Sequence, residues 1–402
     1  MKLSRDRMIV LALALGAVAT ATISCADTEA DPYTPPPVDN GDAALPGVDA
    51  ADTAPDASPE AGPRVCSDHG FCHTSVPADQ VLAGVWGDGT GVAWAVTAKG
   101  DVLRWDGNAW KVHASKLGPL RAIWGSGPTD VWIGGDSGLY HGTGATSAAL
   151  EFAESALPES ATVASIWGAS ATDVWAVGWL EDEIGERQGR VFHLGAGAGA
   201  EWTLDPLSAE GAEYSHVAGS AGAGVWISGA RPRPDEPWLN EILLFHKRGA
   251  GKFALETLPD DPVPYEPMGQ IGSVRAMAVT ADSRIWIYGD NVIEGPGIWR
   301  GTSADGGMTF TWTHAPDGDP LAPRITAVFG TLADDAWAVG ELGRVRRWDG
   351  AEWNTAAITL TKLPVVDTFR AVWSRGAEEG WVVGDGIALR YDPAQRKDGG
   401  AK

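Results

Sequence analysis

Apolar residues along this chain come in short runs, each closed by Gly or Asp, and the runs recur in sets of four. The set from Ile325 to Trp353 is the plainest. It reads Ile-Thr-Ala-Val-Phe-Gly, a polar turn, Asp-Ala-Trp-Ala-Val-Gly, a Glu-Leu-Gly turn, Arg-Val-Arg-Arg-Trp-Asp-Gly, then Ala-Glu-Trp. Short runs bounded by turn residues predict a four-stranded antiparallel meander. A Trp marks the second strand, and its equivalents are Trp94, Trp132, Trp175, Trp226, Trp286, Trp337 and Trp381, so seven units are predicted. Second strands such as Asp173-Val-Trp-Ala-Val-Gly178 are apolar at consecutive positions, which predicts cover on both faces. A blade held between two neighbours meets that requirement, and a closed ring leaves no end repeat exposed. The fold class expected is all-β: a seven-bladed β-propeller of four-stranded antiparallel blades. The last unit stops after Leu389-Arg390-Tyr391-Asp392 without a fourth strand. A spare strand, Phe71 to Val76, precedes the first unit, with Phe71 where other fourth strands carry Trp. The ring is therefore expected to be closed by this N-terminal strand, and the propeller to span 66–393 with a disordered tail at 394–402.

Polar punctuation has a structural reading too. Asp130, Asp173 and Asp335 stand just before second strands, where a carboxylate can accept backbone N–H groups of the turn. Trp105-Asp106-Gly107 and Trp348-Asp349-Gly350 are turn signals into fourth strands. All but two of the 20 Trp residues fall at repeat positions; Trp179 and Trp238 do not.

Charge narrows the partners. The formal net charge is −23, and only a minority of the 53 acidic residues lies before Val65, so the acidity belongs to the folded body. This excludes a nucleic-acid role, which calls for Lys and Arg against phosphate, and docking on anionic lipid.

The N-terminus reads as an address. Lys2, Arg5 and Arg7 precede an apolar run, Met8 to Ala21, too short to be a lasting membrane span. Residues 1–24 are thus an expected signal peptide. Ala21-Thr22-Ile23-Ser24-Cys25 resembles the lipobox of bacterial lipoproteins, which implies lipid attachment at Cys25; several acyl chains anchor stably where one would not. With Ala26 next, the resemblance implies the outer membrane. Residues 25–65 are rich in Pro and spaced acids, as expected of a disordered, self-repelling tether. In an exported chain, Cys66 and Cys72 are expected to form a local disulfide. His69 and His73 interleave with them and keep a metal site as the competing reading, although the spacing matches no standard zinc motif.

One octapeptide carries a family resemblance. Ser303, Asp305, Gly307, Thr309 and Phe310 fit the Asp-box, Ser-x-Asp-x-Gly-x-Thr-aromatic, at a third-to-fourth-strand turn. From Val81 to Asp392 the chain resembles the tryptophan-rich BNR-type repeat lipoproteins of bacteria, which are sialidase-like propellers. In that family the Asp-box is structural. Sialidase chemistry would further require an early Arg-Ile-Pro, whereas Arg324-Ile325 is followed by Thr326. Gly-x-Ser-x-Gly, His-Glu-x-x-His and the P-loop are also missing from the sequence. No catalytic constellation, cofactor or metal is expected.

Two functional classes remain: a non-enzymatic envelope lipoprotein that binds proteins, and a carbohydrate-binding or glycosidase-like propeller. The longer insertions, Trp179 to Gly189, Ala230 to Asn240, Leu258 to Ser273, Asn291 to Gly297 and Ala315 to Pro323, fall mainly at one end of the ring. Loops on a rigid scaffold concentrate function. Trp179, Arg231, Arg233, Trp238 and Tyr265 are therefore the expected partner-binding residues, a mixture typical of contact hot spots.

Overall fold

Seven four-stranded antiparallel sheets account for the strands of the described residues, and each is a sequence-local meander except the last. The computed structural model describes residues 65–397 apart from 198, 236, 238–239, 257–270, 281–283, 292–294, 317–321, 333–334, 361–362 and 376–377. The expected signal peptide, Cys25 and the tether through residue 64 lie outside the described residues. Blades one to six occupy 82–114, 120–155, 162–204, 213–256, 271–316 and 325–356. Blade seven takes three strands from 369–396 and its fourth from His69–Thr74. Among the described residues there is no α-helix, only three short 3-10 turns. The chain is thus a seven-bladed β-propeller.

Each interface between blades is one hydrophobic cluster built around a second-strand Trp. All seven of these indoles are at most 3% exposed. Trp132 of blade two packs on Val163, Ile166, Phe192 and Trp202 of blade three. Trp381 of blade seven packs on Leu82, Leu103, Trp105 and Trp110 of blade one. The indole edge-on partner comes from the fourth strand of the next blade: Trp202 against Trp132 at 5.3 Å, Trp353 against Trp286 at 5.4 Å, Trp110 against Trp381 at 5.1 Å. Edge-to-face geometry suits the aromatic quadrupole and adds to the area buried.

Strand register supplies a second partner. Opposite each second-strand Trp, the third strand places Arg104, His141, His193, His246, Arg300, Arg347 or Arg390. His141, His193 and His246 stack flat on their indoles at 3.8 Å. The guanidiniums of Arg104, Arg300 and Arg347 lie over theirs at 5.4–5.8 Å, within cation–π range. The Asp residues ahead of second strands serve this stack as well as the turn. Asp173 accepts hydrogen bonds from Nε2 of His193 at 2.8 Å and Nε1 of Trp175 at 3.1 Å. Asp130 accepts from His141 and from the Ser126 hydroxyl. Blade four has Gly224 there, and the Ala223 carbonyl accepts from His246 and Trp226 instead.

The third-to-fourth turns share one solution. Asp106 accepts the N–H groups of Asn108 and Ala109, and Asp349 those of Ala351 and Glu352. Gly107 and Gly350 adopt φ near +100°, where a side chain would be strained. Asp305 does the same for Met308 and Thr309, with the Ser303 hydroxyl donating to it and the Thr309 hydroxyl to its second oxygen. Phe310 then stands edge-on to Trp226 at 5.0 Å. These bonds hold the three carboxyls well below the usual carboxylate range.

Closure uses the N-terminal strand. Phe71, Cys72, His73 and Thr74 pair with Tyr391, Arg390, Leu389 and Ala388. Phe71 is fully buried and edge-on to Trp337 at 5.1 Å, the role fourth-strand aromatics play elsewhere. The Thr74 hydroxyl donates to the Ala388 carbonyl and accepts from Trp110 Nε1 of blade one. Cys66 and Cys72 are joined, with an S–S distance of 2.07 Å, and His69 packs edge-on to Trp337. Residues 394–396, expected in the tail, instead extend the third strand of blade seven to Arg396, which pairs with His69.

Two outcomes follow from this packing. Trp132→Ala should lower stability by about 3–5 kcal/mol, as large core truncations do, measured by urea unfolding; an unchanged midpoint would contradict the wedge role. Deleting 66–77 should expose the edge of the strand Ala388–Arg396 and cause aggregation or loss of cooperative melting, read by size-exclusion chromatography and calorimetry. Retention of a sharp transition would mean that three strands suffice for blade seven.

Candidate functional site

The innermost strands enclose a central channel with a cavity of about 270 Å³, lined by residues from all seven blades. Every innermost strand is irregular at the same place. Register shifts by one residue between Leu82 and Gly84, Leu120 and Ala122, Val163 and Ser165, and Tyr214 and His216. The same shift falls between Val274 and Ala276, Ile325 and Ala327, and Phe369 and Ala371. Each is a β-bulge, which breaks the two-residue alternation and re-aims one side chain. The bulged residues sit near the start of the first strand, opposite the end of the second. They therefore mark the channel mouth on the face that carries the second-to-third turns.

Three of the sequence-expected residues, Trp179, Arg231 and Arg233, belong to that face. The described ends of three of the five insertions are paired as hairpin extensions. Blade three pairs Trp179, Leu180 and Glu181 with Gly189, Gln188 and Arg187; blade four pairs Ala230, Arg231 and Pro232 with Ile242, Glu241 and Asn240. In blade five, Asn291 pairs with Gly295. Trp179 is half-buried at the mouth. Gly189 opposite it has no side chain, so the diagonal neighbour Arg187 lies over the ring at 4.4 Å, with Arg121 of blade two at 5.6 Å. Arg231 is engaged with Glu241 and with Glu210, the latter at 3.8 Å. Arg233 follows that strand and is half-buried. Trp238, Tyr265 and most of the third insertion lie outside the described residues. Sequence reasoning missed Arg121 and Arg187; their signal was register, since Arg187 stands two pairs from Trp179 on the same face.

Polar groups of the channel wall tie blades together. The Ser165 hydroxyl accepts the Val217 N–H at 3.1 Å, bridging blades three and four. The Thr326 hydroxyl donates to the Phe369 carbonyl, bridging six and seven. His216 has Nδ1 within 2.9 Å of the Ser215 hydroxyl and 3.2 Å of Ser228. Burial pulls its pKa down to about 4, so it is neutral at pH 7. Among the described residues no group of three or more His, Cys, Asp or Glu is placed to hold a metal ion.

The His216 shift has a sign. The unfolded chain takes up a proton near pH 6.5, whereas the folded one resists until about pH 4. The contribution of neutral His216 is complete above about pH 6.5 and is lost as pH falls toward 4. Between these limits His216→Asn should show a shallower decline of unfolding free energy than the wild type, measured by urea titration at stepped pH. Parallel declines would show that His216 does not carry the dependence.

No protein-family model matches the sequence, and no curated protein matches it. Solved structures are similar in fold. YCF48 bound to D1 peptide aligns with a TM-score of 0.55 and 13% identity, covering 81% of this chain and 97% of that one. YCF48 from Cyanidioschyzon merolae aligns with 0.55 and 15%, covering 81% and 99%. The extracellular domain of BT4673 from B. thetaiotaomicron aligns with 0.56 and 13%, covering 80% of this chain and 39% of that one. At these identities the likeness is one of fold.

Proposed function

We propose that this propeller is a non-enzymatic scaffold of the bacterial cell envelope, lipid-anchored at Cys25 to the outer membrane, that binds a protein partner through the channel-mouth face. The observation that carries this reading is Trp179. It stands outside the repeat, half-exposed at the mouth, with Arg187 and Arg121 over its ring. The seven second-strand indoles, by contrast, are consumed by packing. A Trp beneath Arg on a rigid hairpin is the composition of interaction hot spots. Extended second-to-third hairpins in blades three to five raise the relief of the same face. A propeller of similar fold has been solved with a peptide bound and another is an extracellular domain, which agrees with the reading. A glycan-binding role draws on the Asp-box resemblance alone.

The test is crosslinking in the native envelope followed by partner identification. Trp179→Ala should stay folded and reduce recovery of the partner at least tenfold, while Cys25→Ser should shift the protein from membrane to soluble fractions. Full recovery with Trp179→Ala, combined with loss on substituting the Asp-box face, would move the interface to the opposite end of the ring.

A further inference from the structure

The residues that the seven bulges turn toward the mouth are not a random draw from an acidic protein. Blades two, five and seven present Arg121, Arg275 and Arg370; blades four and six present Ser215 and Thr326; blades one and three present Ala83 and Ala164. In a chain with 53 acidic against 30 basic residues, none of the seven is acidic. Arg121 and Arg370 line the channel cavity itself, flanking the small Ala83 of the blade between them. Arg275 lines an adjoining cavity of about 390 Å³ with Arg324 and Glu341, and Thr326 belongs to both.

The guanidiniums of Arg370 and Arg121 already hold carboxylates in the way the site would use. Arg370 grips both oxygens of Asp385, at 2.5 and 3.1 Å, and Arg121 holds Asp136 at 2.6 Å. Asp136 and Asp385 each follow the last Gly of their second strand, the place that Trp179 takes in blade three. All four side chains are more than a third exposed, and ion pairs at that exposure are worth little. An incoming carboxylate can displace Asp136 or Asp385, or share the fork, at little cost. Arg favours such ligands because its planar donors match carboxylate geometry.

We propose that the bulge ring is a carboxylate-binding mouth that takes the acidic C-terminal end of an extended polypeptide. This rests on the protein-scaffold reading and names the partner's chemistry. A channel of about 270 Å³ is smaller than the ~300–1,000 Å³ of small-molecule pockets and open at the mouth, which suits a chain end entered lengthwise. The terminal carboxylate meets Arg121 and Arg370, and acidic side chains behind it reach Arg275 on one side. On the other side, the backbone passes Trp179 and Arg187.

The experiment pans a random hexapeptide library with free C-terminal carboxylates against the purified body. Wild type should enrich Asp- and Glu-rich ends, and a fluorescent copy of an enriched peptide should bind more weakly as salt rises. Its C-terminal amide should bind at least tenfold more weakly. Arg121→Gln/Arg275→Gln/Arg370→Gln should lose binding at least tenfold, with melting within a few degrees of wild type. Asp136→Asn/Asp385→Asn should bind several-fold tighter, and this arm decides if the triple variant misfolds. Absence of acidic enrichment, enrichment that survives the triple variant, or unchanged affinity in the double variant would overturn the proposal. Binding of free N-acetylneuraminate with no peptide selected would also overturn it, in favour of acidic sugars. If the triple variant still crosslinks its envelope partner, the scaffold reading stands and the mouth assignment alone falls.

Discussion

An indole cannot be buried by the blade that carries it. Each second-strand Trp lies on a sheet face that is covered only when the next blade arrives, with its aliphatic first strand and its fourth-strand aromatic. A ring of about 150–250 Å² aromatic surfaces therefore makes every blade dependent on its successor. An open array would leave one Trp uncovered and would need a polar cap. Here Trp381 finds blade one, and Trp337 finds Phe71 from the other end of the chain. Circular closure is the condition under which all seven can be buried at once.

The third strand completes the same device by a different chemistry. In six of the blades a cation or imidazole opposite the Trp lies over its ring while keeping its polar atoms near the blade end. Where His is used, an Asp two residues before the Trp or a backbone carbonyl fixes the ring. Blades with Arg and blades with His are thus two solutions to one steric problem. Their interchange within one chain explains why the third strands look unrelated when read singly.

The repeat and its closure were legible because they depend on large residues at fixed spacing. Phe71 could be matched to Trp110, Trp202 and Trp353 by position alone. The channel mouth was not legible for a physical reason. A bulge adds one residue without changing composition, so Leu120-Arg121-Ala122 reads as any alternating strand until its partner Gly135-Gly134 is known. Arg121, Arg275 and Arg370 are far apart in sequence and look like solvent-facing charges. Likewise Arg231 resembled a free contact residue, and only the pairing with Glu241 shows where its guanidinium is spent. Trp179 was found because it broke the repeat, but its neighbours were set by a Gly opposite and by a strand of another blade.

The N-terminal strand in blade seven has a consequence for the order of events in biosynthesis. The Thr74 hydroxyl bonds the Ala388 carbonyl across 314 residues of chain. The strand His69–Thr74 has no sheet to join until Ala388–Arg396 has been made. Within-blade hairpins can form as they are synthesised, whereas the ring shuts by pairing strands from opposite ends of the propeller, a step that loop-closure entropy makes slow. Until then Phe71 and the unpaired rim of blade seven stay exposed. A cell that makes this chain must therefore shelter an incomplete ring until the strand Ala388–Arg396 has been made.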